Sequence, residues 1–153
     1  MSVLLLDASV ILAAFDTDDE QHEPALALLS DPEVSIATLD LARYEVANVA
    51  VRAWGERVRI AAMFEAIDRI SADGGVTPST NTLLTRAAEI ADEHEISVYD
   101  AAYVAAANQA GGTLVSCDIR DLVGKGLADS PAGMLEQEPA APAEEGAEST
   151  DAQ

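Results

Sequence analysis

Short apolar runs alternate along this chain with longer stretches in which apolar residues recur at helical spacing. The runs Val3 to Leu6 and Thr113 to Ser116 predict buried strands, and Glu33 to Ala37 and Val76-Thr77 are two further strand candidates. The predicted helices span 10–15, 23–29, about 38 or 40 to 54, 56–70, 80–94 and 97–110. Because strands and helices alternate, the pattern predicts a mainly parallel sheet with helices on both faces.

The helix that begins near Ser97 differs from the others because it has no polar face. Its run to Ala107 consists mostly of Ala, Val and Tyr, and Asp100 is its only charge. Such a helix is expected to be buried on most sides. Asp100 stands in its first turn, where a carboxylate meets free backbone N–H groups. The sequence thus places a single charge at the N-terminal end of a helix that is otherwise expected to lie in the core.

Two further aspartates follow strands. Asp7 comes directly after the first predicted strand, and Asp118 closes the run that begins at Thr113. In open parallel sheets, ligands bind outside the carboxyl ends of the strands, so both side chains are expected at that edge. Each of the three aspartates also has a purely structural explanation, as a helix cap or in a tight turn.

Glu45 is harder to explain as a structural residue. Its helical neighbours three and four positions away are Leu41, Ala42, Asn48 and Val49, which offer it no ion pair. Four carboxylates brought together would repel one another unless a cation joined them. Mg²⁺ and Mn²⁺ prefer carboxylate oxygens and water, and they bridge readily to a substrate phosphate. The pattern therefore predicts a divalent metal site suited to displacement at phosphorus.

Composition indicates the number of domains and the cellular compartment of the protein that carries this site. The chain has 153 residues, of which 49% are hydrophobic, which suits one globular domain over 1–135 followed by an acidic tail over 136–153. A single cysteine, Cys117, fits a reducing compartment. The apolar run 101–117 is interrupted by polar residues and glycines and is short for a membrane span. We expect a cytoplasmic protein with no membrane association.

The charge restricts how a polyanion could bind. The formal net charge is -20, and residues 1–135 alone carry 22 acids against 8 bases. Non-specific binding to a nucleic-acid backbone depends on basic side chains and is therefore disfavoured. Any grip on a phosphate backbone must come from local cations, for which the candidates are Arg43, Arg52, Arg57, Arg59, Arg86, Arg120 and Lys125.

Four blocks of the chain resemble the signature blocks of PIN-domain ribonucleases, most closely the VapC-type toxins of bacterial toxin-antitoxin systems. The blocks are Leu5 to Val10, Ala42 to Asn48, Ile96 to Ala105 and Leu114 to Leu122, in family order. The resemblance implies an α/β fold, a three-layer α/β/α sandwich around a central, mainly parallel sheet of four to five strands. The acidic tail is not part of the family pattern, and the sequence after Asp121 offers no clear fifth strand.

The same resemblance implies the roles of individual residues. By the match, Asp7, Glu45, Asp100 and Asp118 are the catalytic acids and bind Mg²⁺ or Mn²⁺. Ser9 falls where the family has a small hydroxyl residue that supports the site, although a plain helix cap explains it equally well. Ser116 and Asp121 are two further supporting candidates.

The resemblance also implies the activity and the partners. We expect a metal-dependent endoribonuclease, the toxin of a toxin-antitoxin pair, that cleaves single-stranded or structured RNA (tRNA, rRNA or mRNA), forms homodimers and is inhibited by a cognate antitoxin. The main alternative is a catalytically inactive PIN-fold module that binds another protein. A receiver-type phosphoacceptor domain is disfavoured because Asp7 has no paired acid beside it, and a HAD-type phosphatase because Ser9 stands where that class has a second Asp.

Overall fold

The structure, a computed structural model, describes residues 2–137, and the predicted tail lies outside them from residue 138 onward. Its strands are β1 (Leu4–Leu6), β2 (Ile36–Leu39), β3 (Val76–Thr77) and β4 (Thr113–Val115). They form one parallel sheet in the order β3-β2-β1-β4. The sheet of the expected fold is thereby confirmed.

Seven α-helices surround the sheet within the described residues. They are α1 (Ala8–Ala14), α2 (His22–Ser30), α3 (Ala42–Arg52), α4 (Ile60–Ala72), α5 (Asn81–His94), α6 (Val98–Ala110) and α7 (Pro131–Glu136). A 3₁₀ turn (Arg57–Arg59) precedes α4, and a π-helical turn (Ile119–Val123) follows β4. None of the helices in this part of the chain is long and apolar enough to cross a membrane.

The two faces of the sheet are covered by different helices. Successive side chains of a strand point to opposite faces. Leu5 packs with α5 and α6 on one face, whereas Leu4 and Leu6 pack with α1 and α2 on the other. A third apolar cluster joins α1 to α3 and α4. These clusters make the three layers of an α/β/α sandwich.

Helix α6 is the buried element that the sequence predicts. Ser97 caps it, since its hydroxyl accepts the N–H of Asp100 at 3.0 Å, and Ala101 to Ala107 are all buried. Gly111 ends it with a left-handed φ of 64°. At Gly112, an added Cβ would come within 2.2 Å of the Val3 carbonyl oxygen, so only glycine lets the chain enter β4 so close to β1.

Several predicted boundaries are wrong by a few residues. Strand β2 runs to Leu39, and α3 begins at Ala42 rather than at Thr38 or Asp40. The reason is a contact between strands: the buried Thr38 hydroxyl donates to the Leu6 carbonyl at 2.7 Å, which holds this β-branched residue in the sheet. The predicted cap of the first helix at Ser9 is also wrong, because Asp7 caps it.

The C-terminal part of the described chain adds no fifth strand, so the sheet has the lower number of the four to five strands expected. A single bridge joins Val115 to Asp129, with the Ser116 N–H donating to the Asp129 carbonyl at 2.9 Å. The chain then forms α7, which is not among the predicted helices; it is capped by the Ser130 hydroxyl and started by Pro131. The far edge of β4 is therefore covered by one residue pair.

Candidate active site

Asp7 lies at the carboxyl end of β1, beside the point where the strand order reverses. Its Oδ1 accepts the backbone N–H of Ser9 at 3.0 Å and the Ser9 hydroxyl. Burial raises the pKa of Asp7 to about 6, although the hydroxyls of Ser116 and Ser9 oppose the shift. A helix cap explains the turn but not the burial of this charged residue, which is 5% exposed.

Two serines connect Asp7 to the end of β4. The Ser9 hydroxyl accepts the N–H of Cys117 at 2.8 Å and lies 3.4 Å from the hydroxyl of the fully buried Ser116. The Ser116 hydroxyl in turn accepts the N–H of Asp118 at 3.0 Å. This network fixes the two aspartate-bearing loops relative to each other.

Glu45 is held by a tyrosine of the buried helix. The hydroxyl of Tyr103, on α6, donates to Oε1 of Glu45, on α3, at 2.7 Å. The pKa of Glu45 is raised, first by burial and then by the negative charge of Asp100, while the tyrosine hydrogen bond opposes the shift. The hydroxyl occupies one carboxylate oxygen, so the other can serve as a ligand.

Asp100, Asp118 and Asp121 form a compact acidic cluster. One carboxylate oxygen from each lies within 4.8 Å of those of the other two. The Asp121 N–H donates to Asp118 Oδ1 at 3.0 Å, so the π-helical turn sets their relative position. The pKa of Asp100 is raised by burial and by the charges of Asp118 and Asp121.

The site contains five acids whose negative charges affect one another: Asp7, Glu45, Asp100, Asp118 and Asp121. The charge of Glu45 raises the pKa of Asp7, and the charge of Asp100 raises that of Glu45. Among the described residues, Arg120 is the only base within ion-pair distance of these acids, with Nε 3.7 Å from Asp121 Oδ1. Its side chain is 91% exposed, so this pair compensates little of the charge. An all-carboxylate donor set of this kind suits a hard divalent cation such as Mg²⁺ or Mn²⁺.

A sequence profile described as the PIN domain matches residues 4–122, which span all four strands and all five acids. The chain belongs to the PIN-domain family. The match begins at the first residue of β1 and ends inside the π-helical turn that carries Asp121. The resemblance stated from the four sequence blocks is thereby confirmed.

Known relatives of this PIN domain include ribonucleases. It is 36% identical over 119 residues to ribonuclease VapC3 of Pyrobaculum aerophilum, covering 75% of this chain and 88% of the relative. It superposes with a TM-score of 0.61 and 25% identity on the crystal structure of PAE2754 from the same organism, covering 88% of each chain. A toxin-antitoxin complex from Klebsiella pneumoniae has the same fold, with a TM-score of 0.61, 16% identity and coverage of 84% of this chain and 97% of that one.

In this PIN domain, the predicted site residues lie in one region, some in direct proximity and others joined through hydrogen bonds. Asp100, Asp118 and Asp121 are in direct proximity, while Ser9 and Ser116 join Asp7 to the same loop. Tyr103, which holds Glu45, is not among the residues predicted for the site. A signal was present, because a tyrosine on an otherwise apolar helix must find a partner for its hydroxyl when it is buried.

Proposed function

We propose that this PIN-domain protein is a Mg²⁺- or Mn²⁺-dependent endoribonuclease that acts as the toxin of a toxin-antitoxin pair. The observation that carries the proposal is the cluster of Asp100, Asp118 and Asp121, whose carboxylate oxygens lie within 4.8 Å of one another. Glu45 and Asp7 extend this cluster to the reversal point of the sheet. The similarity to ribonuclease VapC3 supports RNA as the substrate.

In this proposal, Asp7, Glu45, Asp100 and Asp118 hold the cation, and Asp121 adds a nearby negative charge. When bound, Mg²⁺ or Mn²⁺ supplies an acidified water and neutralises charge on the phosphate. Tyr103 keeps Glu45 in place through its hydroxyl, and Ser9 does the same for Asp7. Ser116 fixes the backbone before Asp118. These contacts prepare the site before substrate arrives.

The cations expected to bind the RNA backbone are mostly engaged with acids of the same chain. Arg43 pairs with Asp68 at 3.0 Å, and Arg86 pairs with Glu89 at 2.8 Å. A homodimer that gathers the remaining bases into one groove would increase the local positive charge. We therefore propose a cytoplasmic homodimer, with single-stranded or structured RNA as substrate and a cognate antitoxin as inhibitor. The fold shared with a toxin-antitoxin complex supports the last point.

The test is cleavage of a cellular RNA pool by the purified full chain with Mg²⁺ or Mn²⁺ and with EDTA. Asp100→Asn is the active-site variant, and Asp92→Asn, at an exposed position on α5, is the matched control. We expect cleavage that requires the cation, survives Asp92→Asn and falls at least about 100-fold in Asp100→Asn.

The competing function is a protein-binding module without catalysis, which the strongly acidic surface favours. Isothermal titration with Mn²⁺ separates the two functions. A folded protein that neither cleaves RNA nor binds Mn²⁺ would refute the nuclease and support the binding module.

A further inference from the structure

All three tyrosines of this chain lie within one helical turn of a candidate site acid. Tyr44 directly precedes Glu45, Tyr99 directly precedes Asp100, and Tyr103 donates to Glu45. The third is buried, but Tyr44 is 78% exposed and Tyr99 is 65% exposed. Ile119, directly after Asp118, is 70% exposed as well. The acids are therefore bordered by large apolar side chains that face solvent.

The backbone places each exposed tyrosine one residue from a candidate site acid. Neighbouring Cα atoms are about 3.8 Å apart, so Tyr44 and Tyr99 stand beside Glu45 and Asp100. Tyr99 lies one turn before Tyr103 on the same face of α6, which is the face that reaches Glu45 on α3. Tyr99 therefore lies on the side of α6 that reaches the candidate site, and Tyr44 lies in the turn of α3 that contributes Glu45.

Charge decides which part of a nucleic acid these rings can bind. The chain has a formal net charge of -20, and Arg120 is the only base paired with the five acids among residues 2–137. A phosphate backbone is therefore repelled by the molecule as a whole and is attracted only at the bound cation and at local groups of bases. The faces of nucleobases carry no net charge, and each stacks on an aromatic ring with a gain of about 1–3 kcal/mol.

We infer that Tyr44 and Tyr99 are stacking platforms for unpaired nucleobases on either side of the cleaved phosphodiester. The inference rests on the proposed function and names its substrate as RNA with splayed, unstacked bases. A duplex keeps its base faces stacked inside the helix, so paired RNA cannot use these platforms. Because few charge pairs form, RNA binding should depend only weakly on salt, with a log–log slope no steeper than about −2.

The experiment measures base stacking separately from cleavage. The probe is a fluorescein-labelled single-stranded octanucleotide with uncharged methylphosphonate linkages, which the enzyme cannot hydrolyse. Its anisotropy is titrated with the full chain in Mg²⁺, for wild type and for Tyr44→Ala, Tyr99→Ala, Tyr44→Phe and Tyr99→Phe. Val58→Ala, at a residue that is 83% exposed on the 3₁₀ turn, is the control for loss of an exposed apolar side chain. Cleavage of an unmodified strand is assayed in parallel.

Each alanine variant should weaken probe binding about 5- to 160-fold and raise the KM for RNA more than it lowers kcat. The phenylalanine variants and Val58→Ala should bind like wild type, and annealing the probe to its complement should abolish binding. Unchanged probe binding by both alanine variants would overturn the inference. So would alanine variants that bind the probe normally but no longer form dimers, because the tyrosines would then hold the dimer together instead of binding bases. Probe binding through the tyrosines without any RNA cleavage would support the inference and refute the proposed function.

Discussion

Asp7 shows at the scale of one residue how a candidate catalytic group acts against stability. Its side chain caps α1 and is buried, and burial raises its pKa from 3.8 to about 6. A carboxyl group with a raised pKa in the folded state stabilises the fold fully below its unfolded pKa, and this contribution is lost as the pH rises through the folded value. Above about pH 6, the cation-free protein must bury an ionised carboxylate.

Asp7→Asn should therefore stabilise the cation-free protein at pH 8, by up to about 3 kcal/mol, because Asn caps a helix equally well and carries no charge. The advantage should shrink as the pH falls from 6 to 4, where Asp7 becomes protonated. Urea unfolding in EDTA at pH 4, 6 and 8 measures it, with Asp92→Asn as the control. A difference that does not change with pH would contradict the expected role of burial. The same variant should lose RNA cleavage.

At the scale of elements, the position of most strands and helices follows from the sequence. Asp7 and Asp118 could be placed at the strand ends because each closes an apolar run, and the apolar pattern after Ser97 identified the buried helix. The start of α3 could not be predicted, because Thr38 is held in β2 by a hydroxyl contact to β1, which lies 32 residues away in the chain. Neither could the contact between Asp118 and Asp121, since a π-helical turn has no clear sequence signal.

The hydrogen bond from Tyr103 to Glu45 joins α6 to α3, so its loss should alter how the site binds a cation rather than whether the protein folds. Tyr103→Phe should raise the Mn²⁺ concentration for half-maximal cleavage about 10- to 100-fold. The free energy of unfolding should change by about 1 kcal/mol. Tyr99→Phe removes an exposed hydroxyl from the same helix face and should leave the Mn²⁺ dependence unchanged. Equal Mn²⁺ curves for wild type and Tyr103→Phe would show that the hydroxyl does not position Glu45.

At the scale of the whole molecule, the dominant feature is the excess of 20 negative charges. Such an excess opposes the compact state through self-repulsion, and dissolved salt screens it. A cation bound by the acidic cluster acts differently, because it stabilises the fold by mass action at low concentration. The two effects can be separated by the concentrations they need.

Millimolar Mg²⁺ or Mn²⁺ should raise the melting temperature. A cation concentration 100-fold above the Kd should increase the free energy of unfolding by about 2–3 kcal/mol. NaCl of matched ionic strength should produce a smaller rise. Asp100→Asn should keep the response to NaCl and lose most of the response to the divalent cation, whereas Asp92→Asn should keep both. Equal divalent responses in all three proteins, measured by differential scanning calorimetry, would indicate screening alone.

The position of β1 between β2 and β4 has a consequence for the chain during its synthesis. The ribosome makes β1 first, yet this strand gains its second neighbour only when Thr113 to Val115 emerge. Asp7 and Asp118 are separated by 111 positions and meet only through the end of β4. A nascent or prematurely terminated chain that ends before this strand therefore lacks the assembled acidic site, so the five acids can come together only after β4 and the turn that follows it have been made.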